Sequence, residues 1–154
     1  MKKSLFVLVA VLLLTGCGSN KGKETTTTCK SSGSYLVYES SEQEYVSKGD
    51  SVKQLNSKSV LVFNSKEELD ATVENAQANL DAINELEGVE ASVEIIDETS
   101  AYDIMKINLD KADLPRLSEL GILQVNTENS KAMFVSLKQS VELLESEGFT
   151  CESK

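Results

Sequence analysis

Three cysteines and no histidine set the chemistry open to this chain of 154 residues. Without an imidazole, neither a Ser-His-Asp triad nor a Cys-His nucleophile pair can be assembled. Histidine-ligated zinc, haem and non-haem iron are excluded on the same ground. Tryptophan is also absent, which removes the strongest stacking platform for a sugar or a base. A hydrolase would need paired carboxylates or a Ser-Lys arrangement, and no spacing in the chain marks either. No catalytic residue, metal ligand or cofactor is assigned, and the chain is read as non-enzymatic.

The first cysteine has a sharply defined context. Met1-Lys2-Lys3-Ser4 is followed by an apolar run from Leu5 to Leu14 and then by Thr15-Gly16-Cys17. The run is a signal-peptide core: at ~1.5 Å per residue its helix reaches only about half of a ~30 Å hydrocarbon layer, too short for a transmembrane anchor. Leu14-Thr15-Gly16-Cys17 resembles the bacterial lipobox, in which the cysteine is diacylated, with palmitate among the expected chains, and becomes the first residue. Residues 1–16 are therefore expected to be removed. Two or more acyl chains at Cys17 hold a protein stably at a membrane, where one does not. The expected address is the outer side of the cell membrane, lipid-anchored.

Cys29 and Cys151 remain, one near the start of the folded region and one near its end. In an exported chain such a pair reads as a structural disulfide. A redox-active pair and two free thiols are the alternatives, although redox enzymes usually keep their cysteines close, as Cys-x-x-Cys. Other residues are weaker candidates. Lys48 and Asp50, at the tip of an expected hairpin, and Tyr45 just before it are candidate surface contacts, against a turn that is purely structural. Tyr35, Tyr38, Tyr45 and Tyr102 would make either an aromatic contact patch or ordinary packing. Asp97, Glu98 and Asp103 offer oxygen ligands for Ca²⁺ but lack the spacing of a calcium loop. Ile122 and Leu123 would mark a partner surface if they face outward.

The elements that position these residues can be read from periodicity. Residues 17–28, with four consecutive threonines at 25–28, have nothing apolar to bury and are expected to be a disordered tether. Residues 29–154 are then a single domain. Tyr35–Tyr38, Glu44–Val46 and Val52–Phe63 read as strands, with a Gly-Asp hairpin at 49–50. Ser65-Lys66-Glu67-Glu68 is a capping box that opens a helix with Leu69, Val73, Ala76, Leu80 and Ile83 on one face. Gly88 is expected to end that helix. Val89, Ala91, Val93 and Ile95 alternate with polar residues as in a half-buried strand, and Tyr102–Leu109 returns beside it. Asp113 caps a short helix, and Ser136 opens another that ends at Gly148. Strands that meet helices on one side without a βαβ rhythm give a two-layer α+β sandwich on an antiparallel sheet.

The charge is acidic, −10 for the whole chain. Loss of Lys2 and Lys3 with the signal brings the mature part to −12. Such a surface repels phosphate backbones, so nucleic acid is not an expected partner.

From about Glu42 to Phe149 the chain resembles the YehR-like lipoproteins of unknown function. The resemblance rests on Tyr45-Val46-Ser47-Lys48-Gly49-Asp50, on Gly88-Val89-Glu90, on Ile107-Asn108-Leu109-Asp110 and on Glu142 through Phe149. It implies a small two-layer α/β sandwich and brings no activity, cofactor or catalytic residue with it. The Cys29/Cys151 pair is not part of the shared pattern. The expectation is a non-catalytic envelope interaction or accessory domain, bound to membrane lipid through Cys17 and with an envelope protein as partner. The alternative is a lipoprotein that binds a small ligand and presents it to a membrane partner.

Overall fold

Gly49, at φ +64°, turns the chain between β2 (Ser40–Lys48) and β3 (Ser51–Val62). A side chain is strained at that angle and glycine is not. Around this hairpin the strands β1 (Glu24–Ser31), β4 (Val89–Ile95), β5 (Ser100–Asn108) and β8 (Phe149–Ser153) complete a sheet of order β4-β5-β3-β2-β1-β8. Every pair in it is antiparallel. A separate two-stranded ribbon is made by β6 (Asn126–Glu128) and β7 (Ala132–Phe134). The structure, a computed structural model, describes residues 22–31, 33–128 and 132–154. The signal and Cys17 lie outside the described residues. No helix among the described residues is long and apolar enough to cross a membrane.

The helices α1 (Lys66–Asn84), α2 (Leu114–Glu119) and α3 (Leu137–Ser146) join one layer. The sheet face beneath them is written in the register. Val89, Ile107, Leu55, Tyr45, Thr27 and Ser153 stand side by side across all six strands. Buried Leu117, Leu123, Val135 and Leu144 pack onto that row and its neighbours. The next row, Glu90, Lys106, Asn56, Glu44, Thr28 and Glu152, points the other way and is polar throughout. Side chains alternate across a strand, so one face is covered and one is bare. The chain is thus an α+β two-layer sandwich.

Local chemistry starts each helix as the residues dictate. Ser65 accepts from the backbone N–H of Glu68, Asp113 from that of Arg116 and Ser136 from that of Gln139. The Glu68 carboxylate reaches back to the backbone and side-chain N–H groups of Asn64, one residue before the cap.

Four expectations are corrected. The threonine run is not tether: Thr25–Thr28 lie in β1, paired with β2 on one side, and Thr28 also faces Glu152 of β8 on the other. Threonine is β-branched and suits a strand, and its hydroxyl finds partners there, as Thr27 does with Ser153 at 2.8 Å. Tyr35–Tyr38 is not a strand but a tight turn closed by reciprocal backbone bonds of 2.9 Å. Helix α1 ends at Asn84 with Glu85 as cap, before Gly88. Gly88 instead has φ +77° where the chain enters β4, and a Cβ there would stand 2.8 Å from the carbonyl oxygen of Asn108. Leu123 is buried and Ile122 packs against the core, so neither forms an outward apolar surface.

Candidate functional site

Leu36 and Val37 are the most exposed large apolar residues described, at 79% and 76%. They form the tip of the turn between β1 and β2. Leu36 has φ +54°, a left-handed conformation that hairpin loops ordinarily give to glycine or asparagine. A leucine there costs roughly 1 kcal/mol. Burial does not repay that cost, because the side chain is in solvent.

The turn is held from both sides. The ring of Tyr35 meets Phe149 of β8 edge-on, with centroids 4.9 Å apart. The hydroxyl of Tyr38 donates to the carboxylate of Asp103 on β5 at 2.6 Å. Burial, and then this bond, raise the Tyr38 hydroxyl above the usual phenol range, so it stays a donor. Beneath the turn the sheet carries small polar residues. Ser41 and Ser59 are buried and share a hydrogen bond of 2.8 Å, and the Oγ of Ser31 accepts from the backbone N–H of Ser41. Serines here leave space for the turn to lie across the sheet from β8 to β5, with Leu36 and Val37 outermost.

Two cavities flank it. One, of about 210 Å³, lies under α1 and is lined mainly by Leu61, Phe63, Val73, Leu80, Ile83 and Met105, with Asp103 at its margin. It exists because Leu69 alone on α1 is fully buried; the rest of the apolar stripe is half covered. The other, of about 350 Å³, lies between α3 and the sheet. Tyr45 lines this cleft, donating to Gln43 Oε1 at 2.7 Å, and burial pushes its hydroxyl up to about 12.

The residues singled out from sequence are dispersed. Cys29 and Cys151 are joined by a disulfide between directly opposed residues of β1 and β8. Lys48 is exposed at the hairpin. Asp50 is structural: it accepts from Ser136 Oγ at 2.7 Å and from the backbone N–H of Lys138 at 2.8 Å, pinning the start of α3 to the hairpin. Tyr45 is 4% exposed and cannot share a contact surface with them. The four tyrosines form no common patch, since Tyr102 lies on the bare face with the Lys58 ammonium 3.7 Å over its ring. Asp97 accepts from the backbone N–H of Thr99 within its own turn, which lowers its pKa, while Asp103 serves Tyr38. The turn at Leu36–Val37 was hidden in the sequence because Tyr-Leu-Val-Tyr has strand composition. Only the serines of the facing strands hint that it is not one.

A family model described as a protein of unknown function, DUF1307, matches residues 34–150. A prokaryotic membrane lipoprotein lipid attachment site matches residues 1–17. The chain is similar to the YehR protein of Escherichia coli, 26% identical, with a TM-score of 0.58 over 84% of this chain and 91% of that one. A protein from Streptococcus pneumoniae TIGR4 shares the fold, with 17% identity and a TM-score of 0.58 over 99% and 96% of the two chains. No curated protein matches the sequence.

Proposed function

The chain belongs to the DUF1307 family of proteins of unknown function and carries a lipoprotein attachment site, and from that premise we propose that it is a non-catalytic interaction domain of the cell envelope. The anchor stands at Cys17, and β1 begins at Glu24. Seven residues span at most about 25 Å, so the Glu24 end of the sheet stays near the bilayer. Glu24 pairs with Lys48, at the hairpin end, whereas the Leu36–Val37 turn follows the far end of β1. With β2 rising ~3.3 Å per residue, the turn is roughly 30 Å farther from the anchor. Facing away from the membrane on its outer side, it meets a protein partner.

The observation that carries this reading is the strained, exposed Leu36 beside exposed Val37, both held rigidly by two tyrosines. Contiguous exposed apolar residues on a rigid support are what a partner pocket takes up. The absence of histidine supports the non-catalytic part. A photo-crosslinking residue at position 37 in intact cells tests it: a discrete protein adduct is expected, and Leu36→Gly should abolish it. The same variant relieves the left-handed strain and should raise the melting temperature by a few degrees, roughly 1 kcal/mol. No adduct, or one indifferent to Leu36→Gly, overturns the reading.

The cavity under α1 favours a second reading, a binding lipoprotein that presents a small apolar ligand to a membrane partner. A ligand-dependent rise in melting temperature, lost when Ala76→Phe fills the cavity, would replace the first reading with this one.

A further inference from the structure

Beside the free edge of β8, an open groove of about 720 Å³ lies between one side of α3 and the covered face of β1 and β8, where Thr27, Cys151 and Ser153 line it. The register shows what the β8 side of it offers. Thr26 and Lys154 exchange backbone bonds in both directions, at 3.4 and 2.9 Å. Thr28 with Glu152 and Lys30 with Thr150 are therefore the other hydrogen-bonded pairs of the ladder. Cys151 and Ser153 fall at the alternate, non-bonded positions, so their N–H and C=O groups point away from β1, outward from the edge of the sheet. No described residue takes them up. The opposite edge of the sheet is built differently: the side-chain amide of Asn84 occupies both the N–H and the C=O of Ala91 on β4.

The other wall of the groove is one side of α3. Leu137 and Val141, half-buried and one turn apart, present an apolar strip; beside it stand Glu145 and Glu142, the latter 3.8 Å from the Lys138 ammonium in the same wall. On the bare face of the sheet, Glu152 is exposed next to the same edge. We propose that this edge receives an extended protein segment, which adds to the sheet as a further strand beside β8 and along the groove. Its backbone pairs with Cys151 and Ser153, alternate side chains pack apolar on Leu137 and Val141, and the intervening ones are basic, facing Glu152. This strand-addition mode draws affinity from the main chain and selectivity from alternate side chains. The disulfide at Cys29–Cys151 ties the receiving strand to the sheet at the centre of the contact. The inference rests on the interaction reading above but uses a different surface, so the two fail separately.

The test is amide hydrogen exchange on the full lipidated chain in detergent micelles, with a short synthetic peptide of alternating valine and lysine as probe. Binding should slow exchange at Cys151 and Ser153 by about tenfold or more. A peptide N-methylated along one backbone edge should bind poorly. Ser153→Pro deletes only an outward donor from the backbone and should weaken binding about tenfold. Ser153→Ala, which keeps the N–H, should bind like the parent, and unchanged exchange at Thr28 and Lys30 would show the ladder intact in both variants. No slowing at Cys151 up to millimolar peptide, or equal binding by the methylated peptide or by Ser153→Pro, overturns the proposal. So does self-association that Ser153→Pro abolishes, which would make a second copy of the chain the occupant. A Val37 crosslink surviving any of these outcomes leaves the interaction reading standing.

Discussion

The two edges of the sheet solve the same problem in opposite ways. At β4, Asn84 reaches from the last turn of α1 and binds Ala91 through both its donor and its acceptor, at 2.9 and 2.6 Å. An amide side chain thus stands where a neighbouring strand would be, and pairing at Ala91 is blocked. At β8 the strand is secured covalently, by the disulfide to Cys29, while its outward backbone is left open. One edge spends its hydrogen-bonding capacity on self-protection. The other takes its stability from a bond that uses no backbone group, which keeps those groups available. A disulfide and a hydrogen-bond clamp are therefore not equivalent ways to hold an edge, because only the first is compatible with a recognition edge.

That contrast can be broken most forcefully at the disulfide. Cys29→Ser should lower the unfolding free energy by about 2–5 kcal/mol, the upper end applying to a loop as long as this one, with a sequence separation of 122. Calorimetry of oxidised parent and variant measures it, and a loss below about 1 kcal/mol would mean that the β1 ladder and core packing hold β8 without the disulfide. Next in size is Asn84→Ala, which strands the N–H and C=O of Ala91 and should cost roughly 1–3 kcal/mol. Sedimentation of this variant should also reveal new self-association, because it exposes the β4 edge. If it stays monomeric, Asn84 is a stabiliser and not a guard. The smallest effect separates the cleft under α3 from the bare face. The Tyr45 hydroxyl titrates near 12 in the folded chain against 10.0 for a free phenol. A raised folded value means that its contribution is complete below pH 10.0 and lost as pH rises toward 12. Denaturant midpoints should hold to that lower value and then fall, less steeply in Tyr45→Phe. An equal alkaline loss in Tyr45→Phe would place the responsible group elsewhere.

Much of the scaffold was legible because it depends on neighbours a few residues away. Ser65, Asp113 and Ser136 each bind a backbone N–H three residues on, and a capping signature needs nothing more distant. Alternation along Val89–Ile95 showed which face of β4 would be covered. The candidate site was not legible. Tyr35 and Tyr38 look like strand residues until Phe149 and Asp103 are placed opposite them, 114 and 65 positions away. Asp50 looked like a solvent-facing turn residue because its partner, Ser136, lies 86 positions along the chain.

By itself, then, the sequence determined the lipid attachment site, the helix starts, the β2–β3 turn and the division of β4 and β5 into a covered and a bare side. All of these follow from periodicity and short-range hydrogen bonding. The tertiary structure decided that a polar threonine run becomes an interior strand, that Leu36 and Val37 stay in solvent, and that one sheet edge is blocked at Ala91 while the other is open. Those outcomes turn on which distant groups arrive opposite one another, and residue type alone cannot encode that arrival.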